Sequence, residues 1–230
     1  MSLSENSAGR RGAPTIWTPL ASERYERGGA WTMSVESMTE RIDEVTKLVT
    51  TLSGDLVYSG EEIALQRHRR SYVRGVFALI EGTVFGLKSI VLESLDVFGA
   101  NLDPGERALL NEQSYLLRDD GTVRAVQQFI KIADNLRFTL GLGTKAFGVP
   151  IQSDYSGEGW AGLKAGVLVR NRLLHPKHSS DLDVGDDELA TIAKAIEWFK
   201  QSAVTFMLGA REAAVRKGRT SALAAAKQGR

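Results

Sequence analysis

The feature that most constrains the fold of this chain is a long stretch, from about Glu61 to Phe98, whose apolar residues recur at helical spacing. They follow steps of three and four along the chain: Val73, Val76, Phe77, Ile80, Val84, Leu87, Val91 and Leu95. That period places them on one face of an α-helix, whereas a strand would alternate every second residue. The stretch therefore predicts one long amphipathic helix.

The chain on either side of this stretch also carries helical signals. One helix is predicted to follow an N-cap at Ser34 and to end at Gly54. A long last helix is predicted to begin at a cap, Asp186, and to bury Leu189, Ile192, Ile196, Phe199, Ala203 and Phe206. Three shorter helices are predicted over 104–121, about 126–140 and 157–174. Because no long alternation of apolar and polar residues predicts a sheet, the fold class is all-α: an antiparallel helical bundle of about five to six helices, two of them long.

The two ends of the chain differ from this helical part. Residues 1–33 are rich in Gly, Ser, Arg and Pro without a sustained period, which predicts a disordered or accessory N-terminal arm. The helical domain is predicted to span 34–216, and 217–230 to form a basic C-terminal tail. The end of the chain carries six basic residues and one acid: Arg211, Arg216, Lys217, Arg219, Lys227 and Arg230, with Glu212. These residues favour either a solvated tail or an electrostatic arm for RNA or another polyanion.

Composition excludes several classes of function. The chain has no cysteine, which rules out disulfides, a thiolate nucleophile and a zinc site built on sulfur, and fits a reducing cytoplasm. A net charge of +1 creates no global field for nucleic acid. No apolar run approaches the roughly 20 residues that a membrane span needs, and the N-terminus lacks the apolar core of a secretory signal. The expectation is a cytoplasmic protein without a membrane partner, a metal or another cofactor.

Two of the three histidines lie in one stretch, LVRNRLLHPKH, at the end of a predicted helix. On that helix one row contains Trp160, Leu163, Val167, Arg170 and Leu174, and its apolar members predict that the row faces the core. The charge of Arg170 cannot be removed from water there without a partner, and Glu81 is a candidate for that partner. Arg170 is therefore expected to be paired with another side chain.

The residues that follow Arg170 supply complementary chemistry. Asn171 and His175 are four residues apart, so their side chains can touch on a helix. Pro176 disfavours helical backbone at His175, so the helix is expected to end there and the imidazole can turn towards the arginine. Arginine offers a permanently charged fork suited to phosphate, and histidine gives or accepts a proton near neutral pH. A site that handles a phosphodiester without a metal is predicted, with His178 as a further candidate beyond the helix end.

The motif VRNRLLHPK resembles the signature of HEPN domains, in which an arginine, often followed by a polar residue, precedes a histidine at the end of a helix in an all-α bundle. Arg170, Asn171 and His175 match that signature with four residues between the arginine and the histidine. The earlier RRSYVRGVFALIEGTVFGLK resembles the long opening helix of such domains, and Glu81 matches an acidic residue that faces the motif in some members. The resemblance covers about residues 60 to 210.

The resemblance implies a function and partners. HEPN proteins typically form homodimers in which two copies of the motif face one cleft, and many are metal-independent endoribonucleases of toxin or phage-defence systems. By that resemblance His175 acts as general acid or base, and Arg170 stabilises charge on the phosphate. Asn171 holds these groups or the substrate in position, Glu81 orients the arginine, and His178 supports the site. RNA is the implied substrate, cleaved to a 2′,3′-cyclic phosphate, and a nucleotidyltransferase-type antitoxin is an implied partner.

Two other interpretations of the same residues stay open. Some HEPN proteins have lost catalysis and act as dimerisation or nucleotide- or RNA-binding modules. Alternatively the chain is a helical scaffold in which Arg170 and Glu81 form an internal ion pair and His175 caps a helix. A separate acidic run, Asp181, Asp183, Asp186, Asp187 and Glu188, favours a solvated loop with a helix cap over a calcium site.

Overall fold

A computed structural model describes residues 34–60, 63–151 and 153–228, and the arm predicted over 1–33 lies outside the described residues. The chain is an all-α helical bundle, as predicted, with one small hairpin that was not. Its elements are α1 Val35–Gly60, α2 Gln66–Phe98, α3 Pro104–Leu110, β1 Gln113–Leu117, β2 Val123–Gln127, α4 Ile132–Phe147, α5 Glu158–Leu174, a 3-10 helix Ser179–Leu182 and α6 Asp186–Gln228. The residues assigned to a basic tail continue α6 as far as Gln228.

The core is built around α2, which contacts α1, α4, α5 and α6. Its predicted apolar row is confirmed, since Val73, Val76, Phe77, Ile80, Val84, Leu87, Val91 and Leu95 are all buried. The most apolar part of α2 is long and hydrophobic enough to span a membrane, contrary to the expectation from the sequence, but 67% of that window is buried inside the bundle. Burial to this extent is typical of a core helix.

The outer helices bury the faces that their spacing predicts, with differences at their ends. Ser34 caps α1 as expected, because its hydroxyl accepts from the backbone N–H of Ser37 at 3.3 Å. The helix does not end at Gly54 but continues to Gly60, and Leu56 is buried in that last part, where it packs over Gly75 of α2. The predicted face of α6 is buried from Ile192 onward.

Two glycines let α5 approach its neighbours closely. A methyl group at Gly162 would lie 2.7 Å from the carbonyl oxygen of Thr191 on α6. One at Gly166 would lie 3.1 Å from the ring of Phe77 on α2 and 3.2 Å from Ile192 on α6. Because these two positions of α5 carry no side chain, the helix packs closely between α2 and α6. The next turn of α5, which carries Arg170, therefore lies beside α2.

A β-hairpin replaces parts of two predicted helices. The helix expected over 104–121 ends at Leu110, and the one expected from about residue 126 begins only at Ile132. Between them β1 and β2 pair antiparallel, with Tyr115 opposite Ala125 and Leu117 opposite Val123. Gly121 takes a φ of 78° in the connecting turn. The physical reasons are the aromatic and β-branched residues of these strands and the turn-forming Asp-Gly pair between them.

A buried lysine anchors the base of this hairpin. Lys88 of α2, whose side chain is 3% exposed, forms an ion pair with Glu112 at 2.8 Å. The same carboxylate oxygen accepts from the side-chain amide of Asn135 on α4 at 3.2 Å. Burial lowers the pKa of the Lys88 ammonium below its ordinary value, and the hydrogen bond and charge of Glu112 oppose that effect. Glu112 itself sits at a φ of 52°, in the left-handed region, directly before β1.

We predict that Glu112→Ala destabilises the protein by about 2–4 kcal/mol, because it leaves the buried ammonium of Lys88 without its carboxylate. The free energy of unfolding, measured by denaturant titration, checks this. The double variant Lys88→Met with Glu112→Gln is the control, since it removes both charges, and it should recover most of the loss. Equal stability of Glu112→Ala and the parent chain would contradict the assignment.

Candidate functional site

The core-facing row of α5 differs from the predicted one. Of the row identified from the sequence, Trp160 and Leu163 are buried, Val167 and Arg170 are half-buried, and Leu174 is 41% exposed. The buried row further along the helix is instead Gly166, Val169 and Leu173. Arg170 therefore lies at the edge of the buried face, where its guanidinium reaches both α2 and solvent.

Arg170 pairs with the residue that the sequence indicated as its partner. Its Nη2 donates to Oε1 of Glu81 on α2 at 2.6 Å, and its Nη1 donates to Oδ1 of Asn171 at 3.1 Å. The side chains of Arg170 and Glu81 are 23% and 43% exposed, so the pair is partly solvated. A carboxylate and an amide thus fix the plane of the guanidinium while one side of it stays accessible to a ligand.

His175 is the residue at which α5 ends. Its backbone has φ −130° and ψ 58°, outside the helical region, as expected for a residue that precedes proline. Its N–H still donates to the carbonyl oxygen of Asn171 at 3.0 Å, so the backbone remains attached to the last helical turn. The residue is exposed, and the described residues form no hydrogen bond with its imidazole. Both ring nitrogens are therefore available to a ligand.

His178 lies on the loop that follows, at the start of the 3-10 helix, and is exposed. The backbone N–H groups of His178 and Lys177 donate to one carboxylate oxygen of Asp181, at 2.9 and 2.7 Å. These two bonds lower the pKa of Asp181, with the bond from His178 as the larger cause. The loop that carries His178 is therefore ordered by a carboxylate that stays ionised.

Arg172 is a residue of this region that the sequence analysis missed. Its Nη2 donates to both carboxylate oxygens of Glu188 on α6, at 2.8 and 2.9 Å. Its Nη1 donates to the backbone carbonyl of Asp183 at 2.9 Å. The arginine thus ties the end of α5 to the loop and to the first turn of α6, which limits where His175 and His178 can lie.

The first turns of α2 hold the same loop from the other side. Gln66 exchanges two hydrogen bonds with the backbone of Val184, and Arg69 donates to the carbonyl of Val184 at 2.8 Å. Arg70 donates to the carbonyl of Leu182 at 3.1 Å. The signal in the sequence was the cluster QRHRR, whose spacing puts three of these side chains on one side of the helix.

Arg74, one turn further along α2, reaches the end of α5 itself. Its Nη2 donates to the carbonyl oxygen of Leu173 at 3.3 Å. That carbonyl belongs to the last turn of α5, two residues before His175. A second arginine therefore lies near the predicted site, and the sequence analysis did not identify it.

The acidic run beside the site is used within the protein. Asp186 forms an ion pair with Arg69 at 2.6 Å, and Glu188 binds Arg172 as described. Within 34–60, 63–151 and 153–228 there is no group of three His, Asp or Glu side chains placed to hold a metal ion. These contacts agree with the interpretation of the run as an acidic loop, but Asp186 is the first residue of α6 and pairs with Arg69 instead of capping the helix.

The arrangement combines three chemical capabilities at one helix end. Arg170 presents a fixed positive fork, Asn171 adds an amide, and His175 adds an exposed imidazole one helical turn later. A guanidinium of this kind binds phosphate oxygens, and an imidazole transfers protons near neutral pH. These are the kinds of group that a site for a phosphodiester would need.

Comparison with known proteins gave no match for this chain. No protein-family model matches the chain, and no match was found among curated proteins or among solved structures.

The two arginines of this helix end differ in their structural roles, which makes them a matched pair for a test of stability. We predict that Arg170→Ala lowers the free energy of unfolding by about 1 kcal/mol or less, because its ion pair is partly solvated. Arg172→Ala should cost about 1.5–3 kcal/mol although its ion pair is similarly exposed, because it removes hydrogen bonds to both carboxylate oxygens of Glu188 and to the backbone carbonyls of Ser180 and Asp183. Thermal and denaturant unfolding of both variants check the order. A larger loss for Arg170→Ala would favour the scaffold interpretation.

Proposed function

We propose that this chain is a metal-independent endoribonuclease of the HEPN type, acting in the cytoplasm as a toxin or a phage-defence protein. The observation that supports it best is that the last turn of α5 carries a half-buried guanidinium, held by Glu81 and Asn171, and that the same helix ends at an exposed histidine. The all-α bundle around the motif agrees with the fold that such proteins have.

The proposed reaction is an internal transesterification of RNA. The 2′-hydroxyl oxygen attacks the adjacent phosphorus, its proton passes to a base, and the bond from phosphorus to the 5′-oxygen breaks. The leaving oxygen takes a proton from an acid, which gives a 2′,3′-cyclic phosphate and a 5′-hydroxyl. His175 is the acid or base, and Arg170 stabilises the negative charge that develops on the phosphate oxygens. Asn171 holds these groups or the RNA in position, Glu81 orients the arginine, and His178 supports the site.

A homodimer is part of this proposal, because one imidazole cannot be base and acid in the same step. The outer face of α5 supports it: Leu168 is 70% exposed and Leu174 is 41% exposed, on either side of Asn171. Apolar side chains in that position favour coverage by another protein surface. A second copy placed there would bring a second His175 to the same cleft. A nucleotidyltransferase-type antitoxin is proposed as a further partner.

A second candidate function is a non-catalytic HEPN module that binds RNA or a nucleotide. The observation that favours it is the ion pair itself, since Glu81 neutralises part of the charge with which Arg170 would stabilise a transition state. In that function the fork of Arg170 and the amide of Asn171 bind a phosphate group and no bond breaks.

We predict that the purified chain cleaves single-stranded RNA in EDTA and that the fragments end in 2′,3′-cyclic phosphates, as mass spectrometry would show. His175→Ala should lower the cleavage rate by about 10²-fold or more, because it removes the proton-transfer group. His68→Ala is the matched control, since it changes a histidine outside the site, and should cleave at the parent rate. Circular dichroism establishes that each variant is folded.

The two candidate functions give opposite results in this assay. RNA that stays intact while it binds the protein would favour the non-catalytic module. Cleavage that survives His175→Ala, or that requires a divalent metal, would remove the catalytic assignment.

A further inference from the structure

One exposed row of α2 runs beside the end of α5. Helical spacing puts Arg74, Ala78 and Glu81 on that row, and all three residues are exposed. The row faces α5 at both ends, because Arg74 donates to the carbonyl of Leu173 and Glu81 pairs with Arg170. We call the surface formed by Arg74, Ala78, Glu81 and Arg170 the α2–α5 strip.

Arg74 differs from the other arginines of this region in how its donors are used. Arg69 and Arg172 each make several contacts with backbone carbonyls and a carboxylate of the loop and α6. Arg74 makes one contact with the described residues, at 3.3 Å, although a guanidinium has five N–H donors. It also has no acidic partner among those residues. The positive charge of Arg74 is thus not neutralised by the described residues.

The residue between the two ends of the strip leaves the surface open. Ala78 is exposed and has only a methyl side chain, so nothing on α2 rises between Arg74 and Glu81. Seven residues separate these two, which corresponds to about 10 Å along the helix axis at about 1.5 Å per residue. An extended chain of phosphates can lie across this distance.

We propose that Arg74 is a positioning residue that binds a second phosphate, so that a single RNA strand lies along the α2–α5 strip from Arg170 past Ala78 to Arg74. This inference rests on the proposed function, because it takes Arg170 and His175 as the place where the RNA is bound and cleaved. A single strand is the class of ligand favoured, since two cations on the narrow α2–α5 strip would contact one backbone. The net charge of +1 also creates no global positive field that would attract a duplex.

The test measures how binding depends on salt. A labelled single-stranded RNA with 2′-O-methyl groups is used, because it cannot be cleaved, and Kd is measured by fluorescence anisotropy between about 50 and 200 mM salt. Arg74→Ala should raise Kd roughly five- to tenfold and reduce the slope of log K against log salt by about 0.7, which corresponds to one phosphate contact on a single strand. Arg74→Lys keeps the charge and should keep the slope.

Two further variants separate this role from a general effect of charge or folding. Arg124→Ala removes an exposed arginine on the hairpin and should leave both Kd and slope unchanged. Ala78→Phe retains both cations but places a ring across the strip, and should weaken binding about as much as Arg74→Ala. With cleavable RNA, Arg74→Ala should raise KM by a similar factor and change kcat by less than about twofold, because uniform binding is what it removes.

The outcomes separate the inference from the proposed function. If the parent chain cleaves RNA while Arg74→Ala binds with an unchanged slope, or Arg124→Ala loses as much, the role of Arg74 is overturned and the nuclease stands. If Ala78→Phe binds like the parent chain, the path along the strip is overturned. If the RNA binds but is never cleaved, the proposal of a nuclease is overturned. The salt dependence of binding by Arg74→Ala then still tests whether Arg74 contacts a phosphate. If no RNA binds, both are overturned.

Discussion

The close packing of α5 between α2 and α6 is the constraint on which the candidate site depends. At Gly166 there is no side chain between the α5 backbone and the buried residues Phe77 and Ile192. This contact sets the distance from α5 to α2 one turn before Arg170. Glu81 lies on α2 one turn after Phe77, so the packing itself brings the carboxylate within 2.6 Å of the guanidinium. A bulkier residue at position 166 would push α5 away from α2. It would thereby separate Arg170 from Glu81 without contacting either side chain.

The periodicity of apolar residues was sufficient to predict the bundle and its central helix, but not the exact buried face of α5. The apolar residues of α5 indicated a row through Val167 and Leu174, whereas the structure buries Gly166 and Leu173. Glycine contributes no apolar side chain to a periodic pattern, although its lack of a side chain is what permits the closest contact. The second strand was missed for another reason: Val126 and Phe129 stand at helical spacing from Ala133, so the end of β2 was assigned to the helix that follows it.

The arginines at the start of α2 show why a run of charge is hard to interpret from sequence. Arg69 and Arg70 act within the protein, where they bind backbone carbonyls of the loop after α5. Those carbonyls have no partner in regular secondary structure, so charged donors from a neighbouring helix satisfy them. Arg74 lies on the same helix, but its guanidinium forms only one hydrogen bond with the described residues. Spacing alone does not distinguish these roles, because the position of the loop decides them.

The hairpin consists of two strands, and its exposed side chains include Tyr115, Leu117 and Val123. A pair of strands without a third strand or a covering layer is only marginally stable by itself, so this one depends on Lys88 and Glu112 at its base. Its amide hydrogens should exchange with solvent through local opening, at a lower free energy than those of α2, while the helices stay folded. Within the part of the chain that the structure describes, the hairpin and the helices should therefore differ in stability, and the helices that carry Glu81, Arg170 and His175 belong to the more stable part.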